Sequence, residues 1–339
     1  MVTKASGSAW NTYPNLGYIN VKDTPYGAQG NGTTDDTAAV TSALAVTGVP
    51  VFFPPGTYLL QTLAIPSGKI IFGCGPATIL KLRNSTNAPL FTTYNNSEIV
   101  LRDFAVDGNK AGNTGSGIDG FHLSGGDHIS LEKLFIYNTL GAGIRILGGL
   151  QYASILFPRI TGNVGNGITI ENASELDIQT PHIYTSDASA YPGDGIALAP
   201  AATTDSISQV RIAGGTITGC AGRGLAVVGN GSQNVLNVSA VGTHFSANIS
   251  HGFHAVTASQ LTLSACISKG NGGDGFRLEG NTTQSLIAGG IADTNTGYGM
   301  REVVSGSTPD YNGFIGCKAI ANTASNVITK VGTHSTIVT

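Results

Sequence analysis

The stretch Gly252-Phe253-His254-Ala255 is followed 23 residues later by Gly275-Phe276-Arg277-Leu278, and 24 residues after that by Gly299-Met300-Arg301-Glu302. The unit is a glycine, a large apolar residue, any residue and a usually apolar residue. Five earlier copies are Gly120-Phe121-His122-Leu123, Gly143-Ile144-Arg145-Ile146, Gly167-Ile168-Thr169-Ile170, Gly195-Ile196-Ala197-Leu198 and Gly224-Leu225-Ala226-Val227. Repeats of this length are typical of solenoid proteins, in which each repeat is one structural unit.

Each repeat contains two further apolar runs. After the unit at Gly120 come Ile129-Ser130-Leu131 and Phe135-Ile136-Tyr137, and all three runs alternate with a period of two. Such alternation predicts β-strands whose successive side chains point to opposite faces. Three short strands per repeat predict an all-β protein, a right-handed parallel β-helix of about ten coils. A leucine-rich repeat has a similar length, but its Leu and Asn framework is absent.

Asparagine recurs at the end of the third run of the repeats. We expect these residues to form a stacked ladder at one corner, because Asn tolerates a left-handed turn conformation and its amide can bond to the amide one coil away. The predicted members are Asn138, Asn163, Asn248, Asn271, Asn295 and Asn322, with Ser186 and Cys220 in the two gaps.

The predicted domain organisation is an N-terminal extension (1–17), one β-helix domain (18–326) and a C-terminal tail (327–339). A solenoid must cover its end. The segment 36–47 has apolar Val40 and Leu44 at helical spacing and ends before Gly48. Asp35 and Asp36 at its start offer an N-cap. It predicts a short helix that caps the first coil.

Composition excludes several classes of protein. The net charge of -3 argues against a nucleic-acid partner, and no apolar run is long enough for a membrane span. Met1 to Trp10 lacks the apolar region of a signal peptide. The four cysteines show no metal-ligand spacing. We therefore predict no cofactor and no metal, although scattered aspartates could converge on a calcium ion.

Polar residues recur at two positions of the repeat. The residue between the two apolar positions should face outward, and the turn residue before the glycine should lie beside it. The outward row is His122, Arg145, Thr169, Ala197, Ala226, His254, Arg277 and Arg301, and the turn column is Asp119, Ala142, Asn166, Asp194, Arg223, His251, Asp274 and Tyr298. Each position also has a structural interpretation, as a solvated sheet face or as a favourable turn residue.

In consecutive repeats, these two positions bring a possible base, a cation and a carboxylate close together. Since neighbouring coils lie about 4.8 Å apart, His251 should lie beside Asp274, and His254 beside Arg277. We expect Asp274 to favour a protonated His251 and Arg277 to favour a neutral His254. The predicted catalytic residues are His254, His251, Asp274, Arg277 and Asp194.

Arginines, one histidine and loop residues are the predicted substrate contacts. A strip of cationic side chains would bind acidic sugar groups, and loop tyrosines could wall a groove or stack on sugar rings. These predicted residues are Arg223, Arg301, Tyr184, Tyr191, Asp187, His122 and Arg145.

The N-terminal third carries the motifs of a family resemblance. The segments 18–23, 26–37, 51–58 and 104–109, which include Tyr26-Gly27-Ala28-Gln29-Gly30 and Val51-Phe52-Phe53-Pro54-Pro55-Gly56, are similar to the opening of the pectate lyase-like superfamily. Within it, they resemble the group of rhamnogalacturonase- and epimerase-like β-helices and phage tailspikes.

The resemblance implies a secreted or virion-surface protein that acts on a polysaccharide, often as a homotrimer. The first hypothesis is a lyase or glycoside hydrolase that degrades an extracellular, acidic polysaccharide. The second is a non-catalytic carbohydrate-binding or structural fibre module. The third is a uronan epimerase, but the Tyr-Gly-Phe-Asp-Pro-His motif of similar epimerases is missing. The nearest stretch, 140–146, keeps the glycines and lacks the Asp and His.

Overall fold

The computed structural model describes residues 17–184 and 193–338, which form a right-handed parallel β-helix of about 12 turns. One face is a sheet of ten parallel strands, to which each repeat contributes its glycine-led unit. Its strands are Leu63–Ala64, Phe91–Tyr94, Phe121–Ser124, Ile144–Leu147, Ile168–Ile170, Ile196–Leu198, Leu225–Val228, Phe253–Val256, Phe276–Glu279 and Met300–Val303. The predicted fold class and strand positions are confirmed.

The other two faces belong to one bent sheet of 23 strands. The N-terminal strands are Ile19–Asn20, Asn31–Asp35, Val51–Phe52, Gly56–Leu60, Ile70–Leu82 and Ile99–Asp107. The second-face strands are Ile129–Glu132, Leu150–Leu156, Ala173–Gln179, Ile207–Ala213, Val235–Val241, Thr262–Ser264, Leu286–Ala288, Gly313–Ile315 and Thr336–Val338. The third-face strands are Phe135–Tyr137, Arg159–Thr161, His182–Tyr184, Thr216–Thr218, His244–Ser246, Ile267–Lys269, Ile291–Asp293 and Lys318–Ile320.

The first apolar position of each unit forms one internal row. Consecutive members pair in register across the ten-strand sheet, and each is at most 1% exposed. The row is Phe121, Ile144, Ile168, Ile196, Leu225, Phe253, Phe276 and Met300. The residue after each member faces outward, as predicted, but Ala197 and Ala226 are nevertheless covered, at 3% and 0% exposed.

The glycine of the unit is required by close approach. A Cβ added to Gly275 would come within 2.5 Å of the Gly299 carbonyl oxygen and 2.8 Å of the Ala292 side chain. A Cβ on Gly195 would meet Ile217 at 2.1 Å. Real Cβ atoms do not approach other atoms so closely, so the corner before the ten-strand sheet accepts only glycine. This explains why the repeat is so visible in the sequence.

The predicted asparagine ladder is present over four coils. The side-chain nitrogens of Asn248, Asn271 and Asn295 donate to the side-chain oxygen of the next member at 2.8–2.9 Å, the last acceptor being Asn322. Asn163 is buried at the equivalent position. Asn138 is not a member, because it precedes the ladder position, which Thr139 occupies. The left-handed conformation also belongs to the residue before the ladder, with φ of 57° at Asn138.

Both ends differ in detail from the prediction. The capping helix spans Thr37–Leu44 and buries Val40, Ala43 and Leu44. A short 3-10 helix follows at Lys110–Gly112. The coil count exceeds ten because the first coils lack the glycine-led unit. The described part of the predicted C-terminal tail is not free, because Thr336–Val338 pairs with Gly313–Ile315 and continues the solenoid. Within the described residues, no helix is long and apolar enough to cross a membrane.

Candidate active site

Three buried aspartates of the turn column share one structural role. In each, Oδ1 accepts a hydrogen bond from the backbone amide at the same position of the next coil. The pairs are Asp119 with Ala142 at 2.8 Å, Asp194 with Arg223 at 2.6 Å, and Asp274 with Tyr298 at 2.8 Å. A buried carboxylate needs such partners. The first oxygen of each aspartate therefore holds successive coils together.

The second carboxylate oxygen, Oδ2, does not have the same kind of partner in all three aspartates. Asp194 Oδ2 accepts from Arg223 Nη2 at 2.8 Å, and Asp274 Oδ2 accepts from Arg301 Nε at 2.8 Å. In the third copy the partner is a histidine, because Asp119 Oδ2 lies 2.9 Å from His122 Nδ1. Two copies therefore form ion pairs with arginine, and the third forms a carboxylate–imidazole pair.

Asp194 and Asp274, with their partners, belong to one network of side chains, here called the Asp274 cluster. It comprises Asp194, Arg223, His251, His254, Asp274, Arg277, Glu279 and Arg301 on five successive coils. Pairing of His254 with Arg277 in register, and of His251 Nδ1 with Asp274 Oδ2 at 3.7 Å, confirms the predicted neighbours. The cluster holds three arginines and three carboxylates, so its charges balance, and each arginine of the predicted cationic strip is already paired.

Both ring nitrogens of His254 are engaged. Nε2 lies 2.9 Å from Glu279 Oε2, and Nδ1 lies 3.4 Å from Arg223 Nη1. Since arginine can only donate, Nδ1 is the acceptor and Nε2 carries the proton. Burial lowers the pKa of His254 to about 4, reinforced by the neighbouring His251. The predicted neutral state of His254 agrees with this direction, although burial is the largest cause.

The expected protonation of His251 is wrong. The backbone amide of Asp274 donates to His251 Nδ1 at 2.7 Å, so this nitrogen is an acceptor and the neutral ring carries its proton on Nε2. Burial lowers the pKa of His251, and although Asp274 opposes this, Arg277 and Arg223 add to it. One carboxylate therefore does not outweigh burial and the surrounding guanidinium groups.

Glu279 was missed by the sequence reasoning, yet it is central to the Asp274 cluster. It accepts from Arg277 Nε at 2.7 Å as well as contacting His254. Burial would raise the pKa of Glu279, but these hydrogen bonds hold it at about 2. The sequence did contain a signal for Glu279. The fourth residue after each glycine also faces outward, and Glu171 occupies the same position in an earlier repeat.

A second cluster, here called the Asp119 cluster, comprises Asp119, His122, Arg145 and Glu171. His122 and Arg145 are paired in register, as predicted, and Arg145 Nη2 lies 2.6 Å from Glu171 Oε1. The side chains of His122 and Arg145 are 28% and 34% exposed. Since Asp119 accepts from Nδ1, the unprotonated nitrogen of a neutral His122 is Nε2, which has no hydrogen-bond partner among residues 17–184 and 193–338.

An open groove of about 760 Å³ lies beside the Asp119 cluster. Its lining includes Asp119, Arg145, Asn166, Thr169 and Glu171, together with glycines of the adjacent turns. It is larger than three other surface grooves of about 480, 270 and 380 Å³. The exposed, incompletely bonded charged groups of the ten-strand sheet thus lie at its N-terminal half, whereas the C-terminal half holds the self-neutralised Asp274 cluster.

Tyr184, the predicted loop contact within the described residues, does not line this groove. Tyr184 is 51% exposed on the third face, where it lines a separate groove of about 270 Å³ with Phe135, Arg159 and His182. Asp187 and Tyr191 lie outside the described residues.

One set of three potential metal ligands lies close together in the described chain: Glu98, Asp127 and His128. It is exposed, and His128 Nδ1 is hydrogen-bonded to Asp127 Oδ1 at 3.1 Å. Calcium prefers six to eight oxygen ligands, which this set does not supply. It therefore does not fit the calcium ion that the aspartates suggested.

Comparison with known proteins agrees with the fold. The family model described as rhamnogalacturonase A/epimerase, pectate lyase-like matches residues 18–266. The chain belongs to this family. The preneck appendage protein of Bacillus phage PZA is 30% identical over 188 residues, which are 50% of this chain. The chain matches only 20% of the length of that relative.

Solved structures of this rhamnogalacturonase/epimerase-like fold superpose over nearly the whole chain. The A-module of the mannuronan C-5 epimerase AlgE4 from Azotobacter vinelandii has a TM-score of 0.76 at 19% identity, covering 94% of this chain and 99% of that one. The tailspike gp49 of Acinetobacter baumannii phage Fri1, a capsular polysaccharide depolymerase, has a TM-score of 0.60 at 14% identity, covering 96% and 64%. At these identities the similarity shows the fold alone.

Proposed function

We propose that this chain degrades an acidic polysaccharide by β-elimination, with the Asp119 cluster as the active site. The observation that carries the proposal is the Asp119–His122 pair, in which Asp119 lines the open groove. The buried aspartate holds the ring and its tautomer through Nδ1, which leaves Nε2 of the partly exposed His122 as a candidate general base. At Asp194 and Asp274, the second carboxylate oxygen binds an arginine of the next coil instead of a histidine.

The neighbouring groups supply the rest of the chemistry. His122 Nε2 removes the C5 proton of a uronate residue, the C4–O4 bond breaks, and a C4–C5 double bond forms. The departing oxygen takes a proton from water in the open groove, and His122 later returns its proton to solvent. Arg145, one coil away, pairs with the sugar carboxylate and stabilises the charge that develops when the proton leaves. Glu171 holds the Arg145 guanidinium in place.

The relatives support a polysaccharide as the partner and the virion surface or the extracellular space as the location. The family includes epimerases, and the similar proteins include a phage appendage protein and a tailspike depolymerase. The chain spans about a fifth of the length of its curated relatives.

Hydrolysis is the second candidate reaction. Asp119 and Glu171 are two carboxylates carried two coils apart, about 10 Å by strand spacing, and they also differ by five positions along the strand direction. This backbone separation is wider than the carboxyl separation of inverting glycosidases, in which a water molecule fits between the two groups. In addition, both carboxylates are already bonded, to His122 and to Arg145.

The test is incubation of the purified chain with polygalacturonate, rhamnogalacturonan, alginate and acidic capsular polymers. Elimination produces new reducing ends together with ultraviolet absorbance from the double bond. Reducing ends without absorbance would establish hydrolysis. Deuterium uptake at C5 without cleavage would establish an epimerase. Binding with none of these changes would favour a non-catalytic module.

A pair of variants locates the active site. His122→Ala should lower the elimination rate by about 10²–10⁴, and Arg145→Ala should also lower it. His254→Ala is the comparison, because His254, His251, Asp274, Arg277 and Asp194 stay predicted catalytic residues until they are tested. Full activity of His122→Ala, with loss in His254→Ala, would move the site to the Asp274 cluster.

A further inference from the structure

A column of left-handed residues runs along the corner between the ten-strand sheet and the second face. In nine consecutive coils, one residue at this corner has a φ between 51° and 58°, and none of the nine is glycine. Strand register places them directly above one another. This corner column consists of Glu98, His128, Tyr152, Glu175, Gln209, Asn237, Gln260, Gln284 and Tyr311.

The other two corners make the same turn with glycine in several coils and, apart from Lys133 and Phe157, with smaller side chains in the others. At the corner between the second and third faces, the left-handed residues are Asp103, Lys133, Phe157, Thr180, Gly214, Gly242, Ala265, Gly289 and Gly316. At the corner after the third face, the described ones are Asn138, Gly162, Gly219, Ala247, Gly270, Thr294 and Ala321. Glycine adopts this conformation without the steric penalty that a side chain incurs. Folding alone therefore does not account for nine side chains at the corner column.

The side chains of the corner column face solvent. All nine residues are exposed, with Tyr152 and Tyr311 at 48% and 59%. Tyr152 stacks on His128 with ring centroids 5.2 Å apart, which presents a flat aromatic surface. The amides of Gln209, Asn237, Gln260 and Gln284 form no side-chain hydrogen bond within the described chain. Four free amides thus follow one another at about 4.8 Å intervals.

The chemistry of the corner column fits an uncharged glycan. Side-chain amides donate and accept hydrogen bonds as sugar hydroxyls do, and tyrosine combines an apolar ring with a polar tip. The column carries no lysine or arginine, and its two glutamates would repel an anionic polymer. An open groove of about 480 Å³, lined by Tyr152, Glu175 and Gln209 among others, runs beside it.

We propose that the corner column is a second, non-catalytic site that binds a neutral polysaccharide chain aligned with the solenoid axis. Nine coils span about 40 Å at the strand spacing, so the surface suits an extended polymer. This site is separate from the groove of the Asp119 cluster, and the proposal does not rest on the function proposed for that groove.

The test uses affinity gel electrophoresis with dextran, galactomannan, xyloglucan and mixed-linkage β-glucan, and with polygalacturonate as the acidic comparison. The variant combines Tyr152→Gly, Gln209→Gly and Gln260→Gly, which preserve the left-handed backbone. The matched control combines Lys133→Gly, Phe157→Gly and Thr180→Gly at the next corner. At least one neutral polymer should retard the wild-type protein and the control, and the corner variant should bind it at least tenfold more weakly.

A second variant, Gln209→Glu with Gln260→Glu, keeps the side-chain shape and removes amide donors, so it should also weaken binding. Melting curves check that each variant is folded. Absence of retardation by every neutral polymer would overturn the proposal, as would equal binding by the folded corner variant. Self-association that the corner variant abolishes, without glycan binding, would show instead that the column joins copies of this chain.

Discussion

At the scale of single residues, the decisive feature is the partner of each buried aspartate. Asp119→Asn should retain the hydrogen bond from Ala142, because the amide oxygen can replace Oδ1. The amide nitrogen would then face His122 Nδ1 and favour the tautomer with the proton on Nε2, which is no base. We expect the elimination rate to fall by about 10²–10⁴ with little change in KM. A rate close to that of the wild-type protein would show that Asp119 does not set the His122 tautomer.

The buried histidines make stability depend on pH. Since the pKa of His254 falls to about 4 on folding, the folded state binds fewer protons than the unfolded state between about pH 4 and 6.5. Stability therefore rises with pH through this window, and about 2 kcal/mol should be lost between pH 7.5 and pH 5. His251 acts in the same direction. Urea unfolding at the two pH values measures this loss.

The matched variants are His254→Gln, which should lessen the pH dependence, and His244→Gln on the exposed third face, which should leave it unchanged. An equal pH dependence in all three proteins would mean that His254 is not the titrating group.

At the scale of structural elements, the asparagine ladder shows how a repeated side chain contributes to stability. Asn271 accepts from the backbone and side-chain amides of Asn248 and donates to Asn295. Asn271→Ala would leave buried polar groups on both neighbours without partners, each loss being worth about 1–3 kcal/mol. We expect a destabilisation of at least about 2 kcal/mol, measured by urea unfolding. Asn138→Gly is the control and should be near neutral, because Asn138 lies outside the ladder and glycine suits its φ of 57°.

At the scale of the whole molecule, the C-terminal coils have an apolar surface. Seven of the exposed large hydrophobic residues fall between 304 and 338: Val304, Tyr311, Ile315, Ile320, Val327, Val331 and Val338. Surfaces of this kind mark interaction sites, and the predicted homotrimer is an assembly that would cover them. Light scattering should give three times the mass of one chain. Val327→Lys with Val331→Lys should shift the mass toward the monomer, and a monomer at all concentrations of the unmodified chain would contradict this prediction.

Sequence reasoning was sufficient for the fold because the solenoid repeats its constraints. The glycine before Phe276 has no room for a side chain, and the apolar position after it is buried in every coil, so both signals recur at fixed spacing. Register then placed His254 beside Arg277 and His122 beside Arg145 correctly. Asn138 was wrongly predicted to belong to the asparagine ladder. It lies one position before the ladder, and the sequence pattern does not reveal this difference.

The chemical state of each site was decided only by the tertiary structure. The sequence places a carboxylate next to His251, but burial, three arginines and the Asp274 amide together keep the ring neutral. The sequence also does not show that the arginines of the Asp274 cluster are paired, while His122 Nε2 has no partner in the described part of the chain. The repeat is a short-range pattern along the chain. Protonation and pairing depend on side-chain direction, burial and the sum of charges from several coils, which exist only after the coils have stacked.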